Sequence, residues 1–333
     1  MGTKSNRDVW VFAEQRHGEL HDVSLELLGK ARELADCSAS KVVAVLMGYK
    51  VRGLTQKLID CGADLVILAD DQRLENYRLL PYTHVFERLI KEHGPDIVLM
   101  GATAMGVELA PRIAARIRTG LSAHCIDLKF DDEGNLLQVV PGWGGGIVAT
   151  IACPDHRPQM STVMPGAMTA LPETAREGKI EDVSVELPDS NMGPEIIGVE
   201  CVAVMGQPLE KADVVVAGGW GIGSEENWSL LEELAHLLGG AVGTTRPPVD
   251  EGWAREEQMI GQSGKTVRPT LYIGVGISGV MHHVVGMDQS KYIISINSNP
   301  NADIFELSDV IIAEDFKKIL PPLIEEIKSK ISK

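Results

Sequence analysis

A chain of 333 residues exceeds what one hydrophobic core usually serves, so two domains of ordinary size are expected. With 44% hydrophobic and 23% charged residues it is neither disordered nor fibrous, and its length excludes a disulfide miniprotein. The 31 basic and 47 acidic residues leave a formal net charge of −16, a field that repels phosphate backbones and anionic membranes, so neither nucleic acid nor membrane insertion is expected.

In chain order, polar residues 1–7 lead into the apolar run 9–13, too short for a signal-peptide core or a membrane span. A cytoplasmic location is the expectation. Similar runs follow at 42–47, 65–69, 97–100, 147–152 and 199–204. Runs rich in Val and Ile with little polar interruption suit strands covered on both faces, and Val23, Leu27, Leu28, Ala31 and Leu34 form the apolar stripe of a covering helix. Residues 165–191, with Gly166, Pro172, Gly178 and Pro188 among many charges, predict an irregular segment closing a domain. A second break falls at 206–208, and a new series of runs follows at 214–217, 241–242, 271–273, 293–296 and 310–313. The alternation predicts an α/β fold of two domains with parallel sheets, divided as 1–205 and 206–333. Cys37, Cys61, Cys125, Cys153 and Cys201 show no C-x-x-C pair or metal-ligand spacing and read as reduced, mostly buried thiols.

Ligands of open parallel sheets sit beyond the carboxyl ends of the strands, where loops and helix N-termini gather. In the second domain the unusual residues follow the runs: Gly218-Gly219-Trp220-Gly221-Ile222-Gly223-Ser224, Thr245-Arg246-Pro247-Pro248, Gly274-Val275-Gly276-Ile277-Ser278-Gly279, Asn297-Ser298-Asn299 and Glu314-Asp315-Phe316. Gly274, Gly276 and Gly279 make a G-x-G-x-x-G before an expected helix at 280–285, a setting in which backbone N–H groups can hold a pyrophosphate. An ordinary NAD site would want an acidic residue where Asn297 stands. Ser224 fits a helix N-cap, with Trp228, Leu231, Ala235 and Leu238 facing the core. The prolines after Arg246 predict an extended, rigid course there and an aimed charge. Gln262 and Ser263 lie in a glycine-flanked loop, and only one of His282 and His283 can face a ligand.

Together, Gly219-x-Gly221, Thr245-Arg246-Pro247-Pro248-Val249-Asp250, Gly261-Gln262-Ser263-Gly264-Lys265 and Gly274 through His283 resemble the FAD domain of the electron transfer flavoprotein α subunit. Gly101-Ala102-Thr103, the helix around Pro111 and Arg112, and Cys153-Pro154-Asp155-His156-Arg157-Pro158-Gln159-Met160 resemble that family's N-terminal domain, most like subunits from anaerobes. The resemblance implies a nucleotide α-hydrolase-like first domain and a flavodoxin/Rossmann-like second domain holding FAD. It implies contacts of Ser278, Gly279, Val280 and Met281 with the pyrophosphate and of Asn297 and Asp315 with the adenosine half. Arg246 would lie over the isoalloxazine ring, Ser263 near N5, His283 near the N1/O2 edge, and Gln262 beside them. Thr245, Ile260, Gly261, Gly276 and Phe316 complete the implied cofactor-binding set.

A fixed cation beside the ring stabilises negative charge on it, so Arg246 is the residue expected to tune the potential. The family commonly has Arg where Trp220 stands, Thr where Ser263 stands, and no proline pair after the arginine. Implied partners are a β subunit, which completes the pocket and holds AMP or a second FAD, and a flavin-dependent dehydrogenase or reductase, an acyl-CoA dehydrogenase among them. With a second FAD the complex would bifurcate electrons from NADH. The chain is expected to carry electrons without turning over its own substrate. The alternatives are an NAD-dependent dehydrogenase and a non-redox nucleotide-binding module.

Overall fold

The computed structural model describes residues 8–142, 147–188, 190, 192–199 and 208–331. The chain divides into two compact units, 1–199 and 200–333. The domain division expected near residue 205, Cys201 and, of the run expected at 199–204, all but Val199 lie outside the described residues.

The first unit begins with β1 (Val9–Ala13), a small hairpin of β2 (Gln15–Arg16) and β3 (Glu19–Leu20), and α1 (Asp22–Ser38). Next come β4 (Val42–Gly48), α2 (Thr55–Asp60), β5 (Leu65–Asp70), α3 (Leu79–His93), β6 (Ile97–Gly101) and α4 (Ala104–Ile117). It ends with β7 (Leu121–Cys125), β8 (Asp127–Phe130), β9 (Leu136–Pro141), β10 (Val148–Ala152), β11 (Gln159–Val163) and β12 (Lys179–Asp182). A seven-stranded sheet runs in the order β12-β5-β4-β1-β6-β11-β7, with every pairing parallel.

Both faces of that sheet are covered, which is why its central strands lack polar alternation. Val9, Val11 and Ala13 enter one core with Leu27 and Leu28 of α1, while Trp10 and Phe12 enter the other with Phe86 of α3 and Ile113 of α4. Phe12 and Phe86 meet edge-on, with ring centroids 5.7 Å apart. Where β1 and β6 diverge, the Thr103 hydroxyl caps α4 by accepting from Gly106 N–H at 3.0 Å and donates to the Glu14 carboxyl at 2.5 Å. Glu14 is only 1% exposed.

Three expectations need correction. The run at 147–152 becomes β10, exposed throughout and antiparallel to β9, outside the parallel sheet. Residues 165–191 are not wholly irregular, because Lys179–Asp182 pairs with β5 at the sheet edge, where solvent tolerates its charges. Of the described cysteines, Cys61 and Cys125 are buried, but Cys37 is exposed and Cys153 half-buried.

The second unit contains β13 (Val214–Gly218), α5 (Trp228–Leu237), β14 (Ala241–Thr244), α6 (Arg246–Asp250) and β15 (Leu271–Val275). It continues with α7 (Met281–Val284), β16 (Ile293–Ile296), β17 (Val310–Ile312) and α8 (Phe316–Ile331). The sheet order is β14-β13-β15-β16-β17, again wholly parallel. Ser224 starts a short turn that feeds α5, and Trp228, Leu231 and Ala235 pack on the sheet as expected, with Leu238 partly buried beside them. Since β13 leads to β14 on one side and the chain returns as β15 on the other, the crevice beyond β13 and β15 is where the topology directs a ligand.

Candidate functional site

At that crevice the backbones after β13 and β15 are bonded to one another. Gly219 N–H donates to the Val275 carbonyl at 2.8 Å and Gly221 N–H to the Gly276 carbonyl at 3.0 Å. Beside them opens a cleft of about 360 Å³ whose lining includes Gly221, Ser224, Gly276, Asn297, Ser298 and Asp315. The strand-end reading thus brings Gly276, Asn297, Asp315 and Phe316 to one place. Asn297 bridges two loops, donating to the Ile277 carbonyl at 2.7 Å and accepting from Asn299 N–H at 2.9 Å. Asp315 accepts from Lys317 N–H at 2.9 Å in the first turn of α8, and Phe316 is a core residue packed with Val216 and Leu320.

Gly279 turns the chain after β15 with φ +97°, and a Cβ there would stand 2.1 Å from Ile304 N. Only glycine fits both the dihedral and the space. Ser278, Val280 and Met281 are exposed around it. The helix expected at 280–285 is a single turn, Met281–Val284, with Val280 as its N-cap, so any anion here would be held by individual backbone N–H groups more than by an extended dipole.

On the other flank, Thr245 is buried and its N–H donates to the Gly218 carbonyl at 3.1 Å. The extended course expected after Arg246 is corrected: Arg246, Pro247 and Pro248 open the short helix α6, a place where the missing N–H groups of proline lose no helical bond. The guanidinium projects from the rim with its side chain 63% exposed, and Nε donates to Asp250 Oδ1 at 2.7 Å. That carboxylate raises the pKa of Arg246 further, so the cation is permanent. Trp220 follows β13 and is 64% exposed.

Ile260 belongs to the core, whereas Gln262 and Ser263 are exposed on the loop that follows. Ile260 N–H donates to the Thr244 carbonyl at 2.9 Å, Gln262 N–H to the His282 carbonyl at 2.7 Å, and Gly264 N–H to the Gly261 carbonyl at 3.0 Å. The histidine pair separates as the sequence requires: His282 is exposed and His283 is 3% exposed. Both His283 nitrogens meet protein partners, Nδ1 the Ile260 carbonyl at 2.9 Å and Nε2 the Tyr272 hydroxyl at 2.7 Å.

Burial lowers the His283 pKa to about 4, against a smaller opposing effect of the Ile260 carbonyl. The unfolded chain takes up this proton near the ordinary histidine pKa of 6.5, whereas the folded chain resists it down to about 4. Stability is therefore expected to fall as pH drops from about 6.5 toward 4, by up to about 3 kcal/mol for this one group. Chemical denaturation at pH 7 and pH 5 checks it: a His283→Gln variant should lose part of the difference, and an unchanged difference would remove the assignment.

Two partners escaped the sequence reading. Asp250 lies one helical turn from Arg246, a spacing that signals the pair once α6 is recognised as a helix. Tyr272, inside an apolar strand, carries no sequence signal tying its hydroxyl to a histidine eleven residues on. Among the described residues no cluster of three or more His, Cys, Asp or Glu side chains is arranged to hold a metal, and no helix is long and apolar enough to cross a membrane.

Two family profiles match: "Electron transfer flavoprotein domain" over residues 9–188 and "Electron transfer flavoprotein FAD-binding domain" over residues 208–288. An electron transfer flavoprotein subunit alpha of Thermoanaerobacterium thermosaccharolyticum is 46% identical over 97% of this chain and 98% of its own length. One of Clostridium acetobutylicum is 44% identical over 99% of each chain. An acryloyl-CoA reductase electron transfer subunit beta of Anaerotignum propionicum is 36% identical over 97% of this chain and 96% of its own length.

Proposed function

The chain belongs to the electron transfer flavoprotein family as an α subunit, with that family's FAD-binding domain in its second unit, and from this premise we propose how it holds the cofactor and whom it serves. Asn297 and Asp315 in the cleft would hold the adenosine half, and the turn of Ser278, Gly279, Val280 and Met281 would hold the pyrophosphate. The isoalloxazine ring is met by Arg246, Gln262 and Ser263 on the neighbouring rim. The observation that supports this reading is that the carboxyl ends of one parallel sheet carry a polar cleft of about 360 Å³ beyond β13 and β15, a glycine turn after β15 and an exposed guanidinium after β14. Those groups fit FAD: hydrogen-bond donors for its phosphates, polar loops for its ring, and a permanent cation for charge on the reduced ring.

When bound, FAD supplies electron uptake and release; the protein sets orientation, access and potential. Arg246 favours negative charge on the ring, while Gln262 and Ser263 offer hydrogen bonds to its polar edge. The implied His283 contact is restricted, since both imidazole nitrogens are already bonded within the chain. Trp220 stands exposed after β13 as an apolar ring where the family resemblance implies a cation.

The family works through pairing, and the electrons pass between a β subunit, this chain and a flavin-dependent dehydrogenase or reductase. The acryloyl-CoA reductase subunit among the relatives supports an acyl-CoA enzyme as that third party. Coexpression with a homologous β subunit, followed by counting FAD and AMP released per heterodimer, tests the reading. One FAD with one AMP is the result for a simple carrier; two FAD would make the complex a bifurcating one. A colourless heterodimer would overturn the assignment of the site.

A further inference from the structure

Tyr272 sits in β15 and His283 in α7, and their side chains are 0% and 3% exposed. The Ile260 carbonyl at 2.9 Å from Nδ1 can only accept, so Nδ1 carries the ring proton. Burial keeps the imidazole neutral and the phenol protonated. Nε2 is therefore an acceptor, and the Tyr272 hydroxyl at 2.7 Å donates to it. The row of bonds runs from the strand, through the ring, to the carbonyl immediately before Gly261.

The same stretch of chain is pinned by backbone to α7 and to the residues just after it. Gln262 N–H donates to the His282 carbonyl at 2.7 Å, and Val267 N–H to the Gly286 carbonyl at 2.8 Å. A Cβ on Gly261 would stand 2.3 Å from the His282 carbonyl oxygen, so the two segments touch without intervening side chain.

We propose that Tyr272 and His283 are positioning residues for loop 261–265, fixing the height at which Gln262 and Ser263 meet the flavin ring; this rests on the FAD reading above. His283 acts on the ring through the loop it holds and not as a donor to it. Tyr272 matters because an imidazole bonded at both nitrogens has one orientation and one tautomer, whereas one bonded only at Nδ1 can tilt.

The test joins three measurements on the full chain. Nitrogen-15 NMR of the His283 ring at pH 7 should show the proton on Nδ1 alone; a proton on Nε2 would overturn the proposal without any variant. In Tyr272→Phe, which keeps the ring and its packing, amide exchange at Gln262 should quicken roughly tenfold, the equilibrium equivalent of one buried hydrogen bond, while β1 and β4 amides stay unchanged. Unchanged exchange at Gln262 would sink it. His283→Gln, able to donate to Ile260 and accept from Tyr272, should restore the protection that His283→Ala loses, and equal behaviour of the two would count against it.

In the heterodimer with a β subunit, Tyr272→Phe should weaken FAD binding several-fold and shift the flavin absorption. A loosened loop with unaltered FAD affinity and spectrum would overturn the positioning role. A wild-type heterodimer that takes up no FAD would instead overturn the cofactor reading, whatever the NMR shows.

Discussion

Arg246→Ala is expected to lower the potential of the flavin step that places negative charge on the ring, by an amount on the order of tens of millivolts. The sign follows from Coulomb attraction between a permanent guanidinium and the reduced ring. The size is bounded by two observations: the side chain is 63% exposed, and Asp250 Oδ1 already stands 2.7 Å from Nε. Solvent and a counter-ion both weaken the field that reaches the cofactor. Asp250→Asn supplies the opposite arm, since removing the carboxylate leaves the guanidinium uncompensated and should raise the same potential. Spectroelectrochemical titration of FAD-replete heterodimer checks both variants. Equal potentials in wild type and Arg246→Ala would strip Arg246 of its tuning role.

Gly279→Ala should destabilise the second unit by about 2–5 kcal/mol and reduce its FAD content. Two costs combine. A left-handed φ of +97° strains any residue with a Cβ, and the added methyl would stand 2.1 Å from Ile304 N, a backbone atom that cannot swing away. Backbone strain of about 1–2 kcal/mol and overpacking of about 1–3 kcal/mol are the magnitudes for these faults. Gly223→Ala is the control: φ is +79°, but nothing lies within 4 Å of the added carbon, so only the strain should register. Thermal unfolding of the two variants separates the effects. Equal melting temperatures would show that the approach to Ile304 relaxes freely.

The sequence made the parallel sheets legible wherever strands are buried on both faces, because continuous Val and Ile runs have few other homes. It failed where burial is achieved with polar side chains. β11, with Gln159, Ser161 and Thr162, lies between β6 and β7 and is buried along its whole length, yet no apolar run marks it. β12 is charged and exposed, readable only through its pairing with β5. At the candidate site, glycines and strand ends pointed to the crown of loops where the cleft opens, because topology alone directs a ligand there. Orientation was less accessible. The prolines after Arg246 suit either an extended chain or a helix start, and the choice depends on the Thr245 bond to β13, a long-range contact. The burial of His283 was likewise decided by packing that local spacing does not encode, and Phe316 both lines the cleft and packs into the core.

The Glu14 and Thr103 pair bears on where a nucleotide can enter the first unit. In a doubly wound sheet the gap between β1 and β6 is a natural berth for a nucleotide, yet here it is closed by an acid side chain 1% exposed and held at 2.5 Å by a helix cap. A phosphate entering would have to displace the Glu14 carboxyl and break the cap of α4 to make room. The second sheet keeps a polar cleft of about 360 Å³ beyond β13 and β15, so two sheets of like winding differ in what their switch points can admit.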